Sequence, residues 1–184
     1  VIVFINGEYW GLHSIRDRID EHYLSYKFDL HRDSFDIIDG HARKGFSAIH
    51  GDNSDYIELL EYAANYDLSL PKHYSFVLNK VDIDNFIDYY AVEVFFANLD
   101  WPIQNIKMWK MRKNGKWRFL LYDLDGGFRH KGKNDVAEDY LFDMFSYLQN
   151  TNECKRCLNP PKSTLLFSSL SKNTDFKQRF ANRY

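Results

Sequence analysis

Between residues 82 and 98 the chain carries Phe86, Ile87, Tyr90, Ala91, Val94 and Phe95 at helical spacing, and the pattern stops at Trp101-Pro102. Asp82 is a capping residue for such a helix, and Pro102 pushes the residue before it out of helical geometry. Two strand-like runs follow at once, residues 106–111 and 117–121, joined by a turn at Asn114-Gly115. A long buried helix that passes directly into an antiparallel hairpin excludes a simple alternation of parallel strands and helices.

The rest of the chain agrees with that grouping. Residues 1–5 and 9–15 flank Asn6-Gly7, a strong hairpin signal, and Gly11 in the second strand admits a close approach. Asp20 caps a short helix to about residue 26, with Tyr23 and Leu24 facing inward. A short strand over 35–38 ends at an Asp39-Gly40 turn, and the polar residues 41–51 read as a loop. Helices follow over 52–67, with Tyr56, Leu59, Leu60 and Ala63 inward, and over 72–79. Beyond the central hairpin come a glycine-rich loop, 126–134, and helices at about 138–149, 163–170 and 174–184. Strands, then helices, then one hairpin, then helices predict an α+β fold: one domain with a β-hairpin region over 1–40 and a helical, site-bearing region over 41–184. The first residues read as a strand entered midway and the last as a helix cut before its cap, so the expectation is a domain truncated at both ends.

Composition removes several classes. Hydrophobic content of 45% and aromatic content of 17% suffice for a core and argue against disorder. A net charge of −2 gives no whole-chain electrostatic reason to expect nucleic acid, and Arg129-His130-Lys131-Gly132-Lys133 reads as a solvated loop. No apolar stretch reaches transmembrane length. Cys154 and Cys157 sit in a polar loop before Pro160-Pro161, without the strand–helix context of a redox motif or the second pair that zinc needs, leaving a local disulfide or two free thiols. The four tryptophans read as core. His31-Arg32-Asp33 spells the catalytic-loop triplet of protein kinases, but Ile38 stands where an Asn is needed, so it reads as a surface segment; the remaining histidines lack metal-ligand spacing.

Two acidic clusters bracket the central hairpin: Asp100 to Asn105 before it, and Tyr122-Asp123-Leu124-Asp125-Gly126-Gly127 after it. A carboxylate just past a helix C-terminus meets the negative end of the dipole, so Asp100 sits where an acid is disfavoured unless it has a partner or a task. Asp123 and Asp125 repel each other, and a divalent cation relieves that repulsion. An Asp to receive a hydroxyl proton, with an Asn and an Asp to hold Mg²⁺, forms a phosphoryl-transfer set. The second cluster alone is less specific. It resembles the opening motif of haloacid-dehalogenase-type phosphatases, although Gly127 replaces their Thr, and the Asp-x-Asp of nucleotide-sugar glycosyltransferases.

Four segments together resemble the CotH (spore coat protein H) kinase-like family: residues 3–12 with 15–20, residues 95–109, residues 115–125, and residues 163–167 with 176–184. That resemblance implies an atypical protein kinase with a remote protein-kinase-like fold, ATP and Mg²⁺ (or Mn²⁺) as cofactors, a protein Ser or Thr as acceptor, and a spore-coat or cell-surface setting. By position it makes Asp100 the catalytic base or substrate-orienting group. It makes Asn105 and Asp123 metal ligands, with Asp125 a second carboxylate. Arg16 and Lys107 are cationic candidates for the nucleotide phosphates, though both fit surface positions equally, and Asp17 stands where the family often has Glu. No glycine-rich nucleotide-covering loop precedes the first hairpin. Two other readings stay open, a coat or surface scaffold without catalysis and a dehalogenase-type phosphatase.

Overall fold

The Asn6-Gly7 turn closes a two-stranded antiparallel hairpin in the computed structural model, which describes residues 1–41, 44–98, 100–102, 104–129, 143–149 and 161–184. Its strands are β1 (Ile2–Ile5) and β2 (Glu8–Leu12), and the turn residues take positive φ, 52° at Asn6 and 84° at Gly7. The hairpin is a sheet of its own and leaves Ile2, Phe4, Tyr9, Trp10 and Leu12 exposed. Trp10 is therefore not a core residue, because a two-stranded ribbon supplies no second layer to pack against. The other three tryptophans are buried.

Asp20 caps α1 (Glu21–Phe28) by accepting from the backbone N–H groups of His22 and Tyr23, each at 3.0 Å. A second sheet follows, in the order β4-β3-β5-β6 with every neighbour antiparallel. Its strands are β3 (Phe35–His41), β4 (Gly45–His50), β5 (Ile106–Met111) and β6 (Arg118–Leu120). Side chains alternate across it: Phe35, Ile37 and Trp109 pack with Leu24 of α1, while Ile38, Met108 and Phe119 face the main core. β3 runs through residue 40 and pairs with β5 as far as Gly40↔Ile106, so the sheet joins the N-terminal part of the chain to the later hairpin.

Two expectations fail here. Residues 45–50 form β4 rather than a loop, and Asp39-Gly40 lies inside β3 rather than in a turn. β4 is an edge strand in which only Phe46 is buried, so its sequence shows no apolar alternation. Gly40 is a close-approach residue: a Cβ there would lie 2.5 Å from the Phe46 ring and 3.0 Å from Ile106.

The helices are α2 (Ser54–Asn65), α3 (Pro71–Lys80), α4 (Ile83–Phe95), α5 (Met144–Gln149), α6 (Pro161–Leu170) and α7 (Thr174–Arg183). α4 packs centrally: Phe86 meets Phe119 of the sheet edge-on at 5.1 Å, and Tyr90 stacks on Phe167 of α6 at 4.7 Å. Phe86, Ile87, Tyr90, Ala91 and Val94 are buried as the stripe predicts, but Phe95 is 63% exposed and meets Phe96 and Phe128 instead. Asn85 of α4 serves the sheet directly. Its Oδ1 accepts from the Phe119 backbone N–H and its Nδ2 donates to the Phe119 carbonyl at 3.2 Å, so the outer edge of β6 is paired. The order of elements is α+β, antiparallel sheets followed by a mainly helical part. Residues 130–133 of the basic run, both cysteines and residues 138–142 of the expected helix lie outside the described residues.

Candidate active site

The C-terminus of α4 is closed by a Schellman motif. Ala97 takes φ 47° and donates its N–H to the Val94 carbonyl at 3.0 Å, and the Asn98 N–H reaches the Glu93 carbonyl at 3.2 Å. Three residues on, Trp101 is fully buried against Tyr89 and Tyr90, with ring centroids at 5.9 and 5.0 Å. Asp100 is thus held between a capped helix end and a buried indole, and its side chain is exposed.

The second acidic cluster docks on the same helix end. Strand β6 stops at Leu120, so Asp123 and Asp125 belong to a loop and not to a continuing strand. Asp123 sits in the left-handed region, φ 60°, and its carbonyl accepts from Asn98 Nδ2 at 3.3 Å. A Cβ on Gly126 would lie 2.7 Å from Asn98 Oδ1 and 3.3 Å from Asp100 Cβ, so only glycine lets the loop approach this closely. The Phe128 N–H then bonds the Phe96 carbonyl, and the Phe96 and Phe128 rings meet at 5.0 Å. Asp100 and the Asp123–Gly126 loop, on opposite sides of the β5–β6 hairpin in sequence, are adjacent in space.

Beside them opens a cleft of about 280 Å³ lined by Arg16, Asp17, Arg18, Ile19, Lys107, Tyr122 and Asp123. Four predicted site residues, Arg16, Asp17, Lys107 and Asp123, therefore share one wall-to-wall space. The Lys107 ammonium lies 5.4 Å from the centre of the Tyr122 ring, a cation–π contact that leaves a cation at the cleft. Partial desolvation, and then repulsion and proton sharing with Asp125, push the Asp123 carboxyl above its ordinary value; Asp100 adds in the same direction and Arg16 opposes it. Asp125 completes the pair without lining the cleft. Asn105 stands apart: it precedes β5 with φ 63°, and its Nδ2 is buried without a partner. Among the described residues no bond links its amide to the carboxylates.

Carboxylates and amide oxygens are the donors a hard divalent cation takes, and two repelling carboxylates are the arrangement it relieves. Among the described residues no group of three or more His, Cys, Asp or Glu side chains is placed to hold a metal ion. Mg²⁺ is commonly held by one or two carboxylates together with waters and substrate phosphates. The kinase-like triplet His31-Arg32-Asp33 is an exposed helical turn in which Asp33 lies 3.3 Å from His31 and 3.8 Å from His50.

Sequence reasoning passed over Glu93 and Asn98. Both are fully buried, and Asn98 Nδ2 donates to Glu93 Oε2 at 2.9 Å as well as to Asp123. One signal was present: Glu93 falls three residues after Tyr90, on the apolar face of its helix, where an unpaired acid is disfavoured. Asn98, just past the helix end, carried no signal of its own, because its role depends on a loop that arrives from 25 residues away.

The family model described as CotH kinase protein matches residues 1–184. No curated protein and no solved structure matches the chain.

Proposed function

The chain belongs to the CotH kinase protein family, and on that premise we propose that it is an ATP- and Mg²⁺-dependent kinase that phosphorylates Ser or Thr hydroxyls of proteins. The observation that carries the reading is the packing of the Asp123–Gly126 loop against Asp100 through Asn98 and Gly126. It brings the Asp100 carboxylate near the Asp123–Asp125 pair, and Asp123 lines a cleft with Arg16 and Lys107.

Asp100 orients the acceptor hydroxyl and receives its proton. Asp123 and Asp125 hold the cation; Asn105, which makes no bond to either acid in the structure, would complete the set through its amide oxygen. Arg16 and Lys107 bind phosphate oxygens across the cleft, with Asp17 as the acid that pairs with a phosphate-binding cation. Bound Mg²⁺ supplies neutralisation of charge on the phosphates. The family and its coat-protein association favour a substrate at the spore coat or cell surface.

Asp123→Ala in the full-length protein should abolish phosphate transfer from ATP to a degenerate Ser/Thr peptide library, and Asp100→Asn should lower it by about a hundredfold or more. Transfer that persists undiminished in Asp123→Ala rules out the assigned role. The family match and the antiparallel pairing of all the described strands speak against a dehalogenase-type phosphatase, whose motif opens an alternating α/β domain. A scaffold without catalysis would show no Mg²⁺-dependent affinity for nucleotide.

A further inference from the structure

We propose that Asn98, held by Glu93, is a positioning residue that fixes the cation-binding conformation of the Asp123 loop. The inference rests on the reading of Asp123 and Asp125 as metal ligands. Glu93 and Asn98 are each 0% exposed, so neither touches ligand or solvent. One Asn98 amide group is divided between two elements, with Nδ2 donating to Glu93 Oε2 on the helix at 2.9 Å and to the Asp123 carbonyl on the loop at 3.3 Å. Its own backbone N–H also bonds the Glu93 carbonyl, so Asn98 is tied to the helix end by both main chain and side chain.

The bond to Asp123 falls where the loop needs it. At φ 60° Asp123 is in a conformation that Asp tolerates but does not prefer, and a hydrogen bond to its carbonyl selects that conformation over extended alternatives. Gly126 fits against the other atom of the same amide, since any Cβ there would press on Asn98 Oδ1 and on Asp100. Asn98 therefore sets the spacing between the carboxylate that orients the acceptor and the pair that holds the cation. An ordinary buried helix-capping amide would need the Glu93 bond alone; the reach to Asp123 and the glycine contact are additional. Outer partners of this kind commonly contribute 10–100-fold to metal affinity.

The test is Mn²⁺ binding to the nucleotide-free, full-length protein, read by electron paramagnetic resonance, with thermal melts in parallel. Asn98→Ala should weaken Mn²⁺ binding by about tenfold. Gly126→Ala, whose Cβ would press on Asn98 Oδ1 and displace the loop, should do the same. Glu93→Ala should lose affinity and Glu93→Gln, which keeps an acceptor for Asn98, should restore it. Folded Asn98→Ala and Gly126→Ala proteins that bind Mn²⁺ as the wild type does, even with lowered melting temperatures, would overturn the inference. A different pattern marks failure of the underlying reading: if the wild type binds no Mn²⁺, or Asp123→Ala binds it undiminished, the metal assignment falls and this inference with it.

Discussion

Burial pushes the Glu93 carboxyl up to about 7, against the opposing pull of its hydrogen bond from Asn98. The folded protein therefore holds this proton over a pH range in which the unfolded chain, with an ordinary value near 4.5, has released it. With the raised value in the folded state, the native form binds more protons through this window, so stability is greatest below it and falls as pH rises towards about 7. Urea unfolding of the wild type should lose a few kcal/mol across that window, and Glu93→Gln should flatten the dependence. A wild-type profile already flat there would mean that Glu93 is charged and differently paired. Asp123 shifts in the same direction, through partial desolvation and repulsion from Asp125. Asp100, Asp123 and Asp125 were legible in the sequence because each stands at the end of an element, where an acid needs an explanation. Glu93 was hidden among apolar neighbours whose period drew attention away from it.

Among elements, the first hairpin and the helices over 54–65, 71–80 and 83–95 were legible from turn chemistry and period, although α2 and α3 carry no side-chain cap. β4 was not, since an edge strand is held by backbone pairing to β3 and needs no apolar pattern of its own. The end of α4 was placed two to three residues late, because Ala97 rather than glycine occupies the left-handed capping position. That choice leaves stability unused: Ala97→Gly should raise the unfolding free energy by about 1 kcal/mol without altering the Asn98 contacts. Asn85 tests the opposite end of the helix. Asn85→Ala would strand the Phe119 N–H and carbonyl at the covered edge of β6, and should destabilise the protein by about 1–3 kcal/mol in a denaturant titration. A neutral result would show that water already reaches that edge.

At the scale of the molecule, the candidate site draws on segments far apart in the chain. The stretch after β2 brings Arg16 and Asp17 to a cleft whose opposite side is Lys107 on β5 and Asp123 beyond β6. Helix α4 holds that side in register, through Asn85 at one end and Asn98 at the other. Periodicity could predict each element but not this convergence, which requires knowing that β3 pairs with β5 and that the loop after β6 returns to the α4 terminus. Among the described residues no helix is long and apolar enough to cross a membrane. The proposed function requires this convergence to be a nucleotide–cation site. Isothermal titration of ATP into the full-length protein, with Mg²⁺ and with chelator, tests it most directly. ATP should bind only with Mg²⁺ present, and Asp123→Ala should lose that binding. Binding equally strong in chelator, or undiminished in that variant, would contradict it.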